Sequence, residues 1–409
     1  MKKQIQTLAA LIAGVTIITP LSLCSCGKSE ETTTSATTAA TTTTTTEATT
    51  TTESTDATTE ETKAIAEVTE NPLIDPKNPL ALDPYTGIQD MDPKNVGKRS
   101  IACTISNLEA ATPSKGTAKA DIIYEYETEG GQTRLLCLFP DISKVEVIGS
   151  FRSARVVAAD LADGTNSILV HWGFDQTKFP AYFKEYNIDH IDMNEYDAGW
   201  LADTDGKIEL NGNKFSWRDL HWKKEDKRVL QDCAVTNGEQ VQRAIDFLGI
   251  NTKTEEIPMV MNFVPDGTAP MKDAFDCKDL QVYFSEINKD AHFVYNDKDH
   301  CYYKSQYRDT PQTDDTTDEQ LHFTNVFVLY TNIHDRHDGA GRLDFSLELG
   351  GQGYYVSNGK LVEINWIKPN PMDMIQITDK DGKPIEINAG KSYFCMVDIK
   401  ERSKTSWMN

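Results

Sequence analysis

From Gly116 to Arg155 the chain reads GTAKADIIYEYETEGGQTRLLCLF, then a short spacer, then GSFRSAR. A period of two puts Ile122, Tyr124 and Tyr126 on one face of a strand, and Asp121, Ile123, Glu125, Glu127 and Glu129 on the other. A tight turn at Gly130-Gly131, a second strand and a basic turn opening a helix complete this unit. Upstream, SIACTIS predicts a strand with Ile101, Cys103 and Ile105 on one face. Downstream, the nearly all-apolar SILVHWGF (Ser167 to Phe174) predicts a central strand. ARVVAADLA, FPAYFKEY and GEQVQRAIDFLG predict helices, the last with Asn237 as cap and Gly249 past its end. The Trp-rich interval from Tyr196 to Asp232 carries no clear period.

Past residue 260 the pattern changes. NVFVLYTNI, GGQGYYVSNGKLVEINWIK and PIEINAGKSYFCMVDI are strand runs, broken by Asn358-Gly359 and Asp381-Gly382 at hairpin-turn positions, and no helix of length is expected. Trp366 is expected in the core. The predicted fold class is α+β: a mixed α/β N-terminal domain over residues 96–255, then a smaller β-rich C-terminal domain over 260–409, with modest contacts between them. The prolines of NPLIDPKNPLALDP predict an extended lead-in over residues 71–95.

The first 70 residues change the picture. Lys2 and Lys3 precede the apolar run LAALIAGVTIITPLSL, which ends in LCSCG. This is the layout of a secretory signal over residues 1–26. LCSC-G is similar to the bacterial lipobox, with Leu23 at −3, Ser25 at −1 and Cys26 as the residue to be lipidated. Residues 27–70 are Thr-rich and poor in aromatic and branched aliphatic side chains, so they are expected to be a disordered linker. The formal net charge of −22 falls mostly beyond the linker, and so acidic a surface disfavours nucleic acid and anionic lipid surfaces.

Acids on alternate positions of one strand face repel one another unless cations answer them. The candidates are Arg134, Arg152 and Arg155. Ser150 or Ser153 is placed to cap a helix starting near Arg152. Arg152 and Arg155, three apart, would then lean over its N-terminus, with Arg134 arriving from the neighbouring strand. Arg134, Arg152, Ser153 and Arg155 are therefore the candidate anion site, its occupant either a ligand carboxylate or phosphate or the protein's own Glu125 or Glu129. Asp121, Glu125 and Glu129 form the candidate acidic cluster. His334 and His337 sit in a polar Gly-containing loop, HDRHDGAG, that reads as solvated rather than metal-binding. His171, inside an apolar strand, reads as a satisfied core histidine. No phosphate loop, nucleophile elbow or CxxC is present, and no metal or cofactor is implied.

The succession SIACTISN, ADIIYEYETEGGQTR, GSFRSAR, VHWG, NVFVLYTNI, SNGK and INWIK resembles the YerB family of bacterial lipoproteins over nearly all of residues 96–400. The resemblance implies an N-terminal mixed domain and a β-rich C-terminal one, both of unknown function. Two departures stand out. Ser150 and Phe151 replace the Pro-Val of the family's GPVRSAR. Asp232-Cys233 replaces a His-Asn/Thr pair that follows the Arg-Asp element, here Arg218-Asp219; were that histidine catalytic, this copy would have lost the activity.

Two function classes stay open. One is a lipid-anchored protein on the outer face of the cytoplasmic membrane, held by diacylglycerol on Cys26, that binds a cell-wall or protein partner through its arginines. The other is a hydrolase-like envelope enzyme using Asp121, Glu125 and Glu129 as acid and base.

Overall fold

The computed structural model describes residues 71–202, 210–254, 259–287 and 289–409; Cys26, the signal segment and the Thr-rich linker lie outside them. Ile122–Glu127 and Thr133–Phe139 form the expected antiparallel pair, and Ile101–Ser106 joins the free edge of the second strand. In chain order the principal strands are β1 (Ile101–Ser106), β2 (Ile122–Glu127), β3 (Thr133–Phe139), β4 (Ile168–His171) and β5 (His190–Asp192). They continue with β6 (Asp279–Ser285), β7 (Lys289–Asn296), β8 (Cys301–Gln306), β9 (Asn325–Thr331), β10 (Gly351–Ser357), β11 (Lys360–Ile367) and β12 (Ser392–Asp398). Asn358 and Gly359, both at positive φ, turn the β10–β11 hairpin as their pairing predicts. The helices α1 (Val156–Gly164), α2 (Phe179–Tyr186) and α3 (Gly238–Leu248) lie on the predicted runs, with α1 starting later than the expected Arg152. Asn237 caps α3 through its side chain, and Gly249 closes it at φ 67°.

One mixed sheet runs through both halves of the chain, in the order β11-β10-β9-β12-β2-β3-β1-β4-β5. β12 lies between β9 and β2, parallel to both. Its run Tyr393, Phe394, Cys395, Met396 and Val397 is buried on both faces. Such a strand needs a ladder on each edge, because water reaches neither its side chains nor its backbone. The result corrects the expected α+β split with modest contacts: the chain is sheet-rich with few helices, and the change of pattern near residue 260 does not interrupt the sheet.

One face of this sheet, with Cys103, Ile105, Ile123, Cys137 and Val328, packs under a second sheet built on β6, β7 and β8. The other, with Ala102, Tyr124, Leu136, Phe327 and Met396, is covered by Val157, Ala158 and Leu161 of α1 and Phe179 of α2. The interval without a period supplies Asp197–Leu201 and Ser216–Asp219 to a separate four-stranded sheet, with Ile148–Gly149 and Ala234–Thr236. Trp366 is buried.

Candidate functional site

β1, β2, β4, β5, β9 and β12 all run in one direction. Their carboxyl ends therefore open onto one rim, the place where ligands bind in open sheets of parallel strands. The Glu129–Gly131 turn, the FRSAR segment, the loop around Asp175 and the HDRHDGAGR segment gather there.

Arg134, the second residue of β3, stands in one rung with Ser106 of β1 and Tyr126 of β2, so the three share the α1 side of the sheet. Its Nη1 donates to the Ser153 carbonyl at 2.5 Å, and its Nη2 lies 3.6 Å from Glu129 Oε2. Arg155 grips the same carboxylate in a fork, Nε to Oε1 at 2.5 Å and Nη2 to Oε2 at 2.9 Å. Burial would raise the pKa of Glu129, but the hydrogen bonds and charge of Arg155 and the charge of Arg134 prevail and lower it. Arg134, its side chain 12 % exposed, is pushed down to about 10 by burial and then by the Arg155 charge beside it. Two guanidiniums thus share one carboxylate. Next to them the hydroxyls of Tyr126 and Ser106 are buried and have no hydrogen-bond partner among the described residues.

Arg152 does not join them. The segment is extended: Arg152 N–H donates to Thr104, its carbonyl accepts from Trp172, and its Nη2 lies 3.3 Å from Asp232 Oδ1. The helix starts at Val156, with Arg155 at its cap position and no side-chain cap. The expected Ser-capped helix from Arg152 is therefore absent, and Ser153 takes part through its carbonyl. Asp232, read from sequence only as a departure from the family, is the partner of Arg152.

The three acids of the candidate cluster do not converge either. Glu125, with no exposed side-chain surface, lies under the second sheet. It accepts from Asn107 Nδ2 at 2.8 Å, Thr133 Oγ1 at 2.7 Å and Tyr393 Oη at 2.5 Å, with Lys289 Nζ at 2.9 Å and Lys304 Nζ at 3.6 Å. Burial opposes its charge, but the two ammonium groups prevail and hold its pKa near 2. Lys304 is lowered to about 8 because burial and the like charge of Lys289 outweigh the attraction of Glu125. Gln306 and Gln312 accept from these lysines and close the network. Asp121 precedes β2 at the end opposite Glu129, about 20 Å at the rise of a strand from Glu127, where β2 ends. Burial, and next the charge of Asp83, raise it to about 8.

Sequence reasoning missed Lys289 and Lys304. The signal was their phase: Lys289 precedes buried Ala291 by two, and Lys304 follows buried Tyr302 by two. It also missed Arg336 and Arg342, whose segment was weighed only for its exposed histidines. Arg336 pairs with buried Asp175 and, at 2.6 Å, with Asp344; Arg342 Nε lies 3.2 Å from Asp175. The Arg336 side chain is 6 % exposed, and its Nη2 has no partner among the described residues. Val156, which follows Arg155, lines a cleft of ≈ 540 Å³ together with Thr177, Lys178, Tyr182 and Asp344. A second cleft of ≈ 620 Å³, lined by Met259, Met261, Met374 and Ile377, shares no residue with the arginine cluster.

His171 is a satisfied core histidine, as its strand context implied. Its rings of contact are Gly173 O at 2.9 Å, His190 Nδ1 at 3.0 Å and the phenyl groups of Phe174, Phe179 and Phe183. Among the described residues no group of three or more His, Cys, Asp or Glu side chains is placed to hold a metal ion. Among the described residues the six cysteines are free thiols, with Cys103 opposite Cys137.

The architecture defines a class: a sheet-rich protein whose two sequence modules complete one sheet, with an arginine-lined rim at its carboxyl ends. Residues 85–243 match the model described as "Protein of unknown function (DUF3048) N-terminal domain", and residues 280–394 its C-terminal domain. The chain belongs to this family, that of the YerB-like proteins. It is 27 % identical over 315 residues to the Bacillus subtilis protein named "Putative lipoprotein YerB", covering 77 % of this chain and 85 % of that protein. The crystal structure of YerB from Bacillus subtilis superposes with a TM-score of 0.66 at 24 % identity, over 80 % of this chain and 99 % of the other, and so shares the fold.

Proposed function

We propose that this chain is a lipid-anchored extracytoplasmic binding protein, tethered through Cys26 to the outer face of the cytoplasmic membrane. It takes an anionic group of a cell-wall or protein partner at the Arg134–Arg155 rim. The observation that carries the reading is the excess of guanidinium there: Arg134 and Arg155 crowd one carboxylate in a chain whose net charge is −22. An anion there would answer the like-charged pair and meet buried donors that no described residue satisfies. The adjoining ≈ 540 Å³ cleft is of the size that holds a small ligand. Catalysis by Asp121, Glu125 and Glu129 has less support, because one is enclosed in a buried network and the others stand at opposite ends of a strand.

Two measurements test the reading. Metabolic labelling with a fatty acid tags the wild type and misses Cys26→Ala; equal labelling of both ends the anchoring assignment. Titration of the full-length protein with acetate and with inorganic phosphate gives saturable binding that Arg155→Lys weakens at least tenfold. Absence of saturation with either anion overturns the anion site.

A further inference from the structure

We infer that Glu129 is a built-in stand-in for the ligand, a tethered carboxylate that occupies the arginine fork and must leave before a carboxylate-bearing partner can bind. The inference rests on the anion-site reading and narrows it to carboxylates, in particular the free carboxyl end of a peptide.

Three features carry it. The fork of Arg155 Nε and Nη2 holds the two Glu129 oxygens at 2.5 and 2.9 Å, a planar bidentate match to a carboxylate. Glu129 belongs to a rim turn rather than to the ladder. The next residue, Gly130, sits at φ 69° with open space where a Cβ would stand, whereas Gly131 is held by Ser285 of β6, so Glu129 vacates the fork by rotating its side chain while the turn stays in place. The hydroxyls of Tyr126 and Ser106, on the same rung as Arg134, are buried and have no partner among the described residues. Glu129 fills the fork and leaves both hydroxyls unused. An incoming carboxylate bound by Arg134 and Arg155 would bring with it a peptide amide, a group that can pair with hydroxyls. The body of the peptide would extend past Val156 into the cleft formed by α1, α2 and residues 343–348. Displacing an internal competitor lowers apparent affinity by the fraction of molecules in which the fork is vacant. Removing the competitor's charge must therefore strengthen binding.

The test compares full-length wild type with Glu129→Gln, titrated calorimetrically with N-acetyl-glycylglycine, with its carboxamide and with inorganic phosphate. The inference expects Glu129→Gln to bind the free-acid peptide at least tenfold more tightly than wild type, to ignore the carboxamide, and to lose the gain when Arg155→Lys is added. Glu129→Ala serves as the second variant should the amide find a new partner, and it should show the same gain. Equal affinity of wild type and both Glu129 variants for the free acid removes the stand-in role while the anion site survives. Tight phosphate binding without free-acid binding removes the carboxylate assignment alone. No binding of any probe by any variant overturns the anion site and this inference together.

Discussion

The buried network around Glu125 joins the two halves of the chain, and its removal gives a worked prediction. Glu125→Ala deletes acceptors from Asn107, Thr133 and Tyr393 and leaves Lys289 and Lys304 buried without their counter-charge. Stripping one member from a buried ion pair destabilises by about 3–5 kcal/mol, because the remaining charge stays desolvated. The folded unit from Val68 to Asn409 has roughly 340 residues. At about 2.1 cal/mol/K per residue, its unfolding entropy is about 0.7 kcal/mol/K, so a loss of about 4 kcal/mol lowers Tm by about 6 °C.

The assay is calorimetric unfolding at pH 7, repeated down to pH 2. Glu125 has a folded pKa near 2, below its ordinary value of 4.5. Its contribution is therefore complete above pH 4.5 and is lost as pH falls through 2. The gap between wild type and Glu125→Ala should be widest at neutral pH and shrink across that window. Glu125→Leu combined with Lys289→Met and Lys304→Met removes all three charges at once and should recover most of the loss. A fall of less than about 2 °C for Glu125→Ala at pH 7, or a gap that does not change with pH, would refute the reasoning.

Two further predictions follow from the shared sheet and from Asp121. Residues 96–255 and 260–409, produced separately, should each lack a cooperative transition and regain one on mixing, since each exposes an apolar edge, β2 or β12; a sharp transition in either fragment alone contradicts this. Asp121 has a folded pKa raised to about 8 by burial and by Asp83, so the folded state loses stability as pH climbs from about 4 towards 8. Asp121→Asn should accordingly gain Tm relative to wild type over that range, and a constant difference between pH 4 and 9 would dismiss the assignment.

The elements that could be read from sequence are those whose information is local. Period two placed β2 and β3 and sorted Tyr124 from Glu125, while cap residues bounded α3 at Asn237 and Gly249. The partners of Glu125 were not legible, because Lys289 and Lys304 reach it from a sheet whose position over the first one depends on long-range packing. The joint between β12 and β2 was hidden for the same reason. An all-apolar strand announces that both edges are occupied without saying by what.

The GSFRSAR segment shows how one backbone choice redirects a whole site. Spacing of three brings two side chains together on a helix, where neighbours recur at three and four positions. On an extended segment the same spacing sends them to opposite faces, because successive side chains alternate. Here the ladder decides: Thr104 accepts from the Arg152 N–H, Trp172 donates to the Arg152 carbonyl, and Ala154 bridges Phe174. Helical geometry begins only at Val156, beyond those bonds. Arg152 is consequently turned to Asp232 and Arg155 to Glu129. The two arginines that looked like one anion clamp serve two carboxylates, and the guanidinium that does meet Arg155 is Arg134, brought across by the strand after the Gly130-Gly131 turn. A rim assembled from strand ends can thus hold Arg134 and Arg155 against a common carboxylate only because the helix starts late.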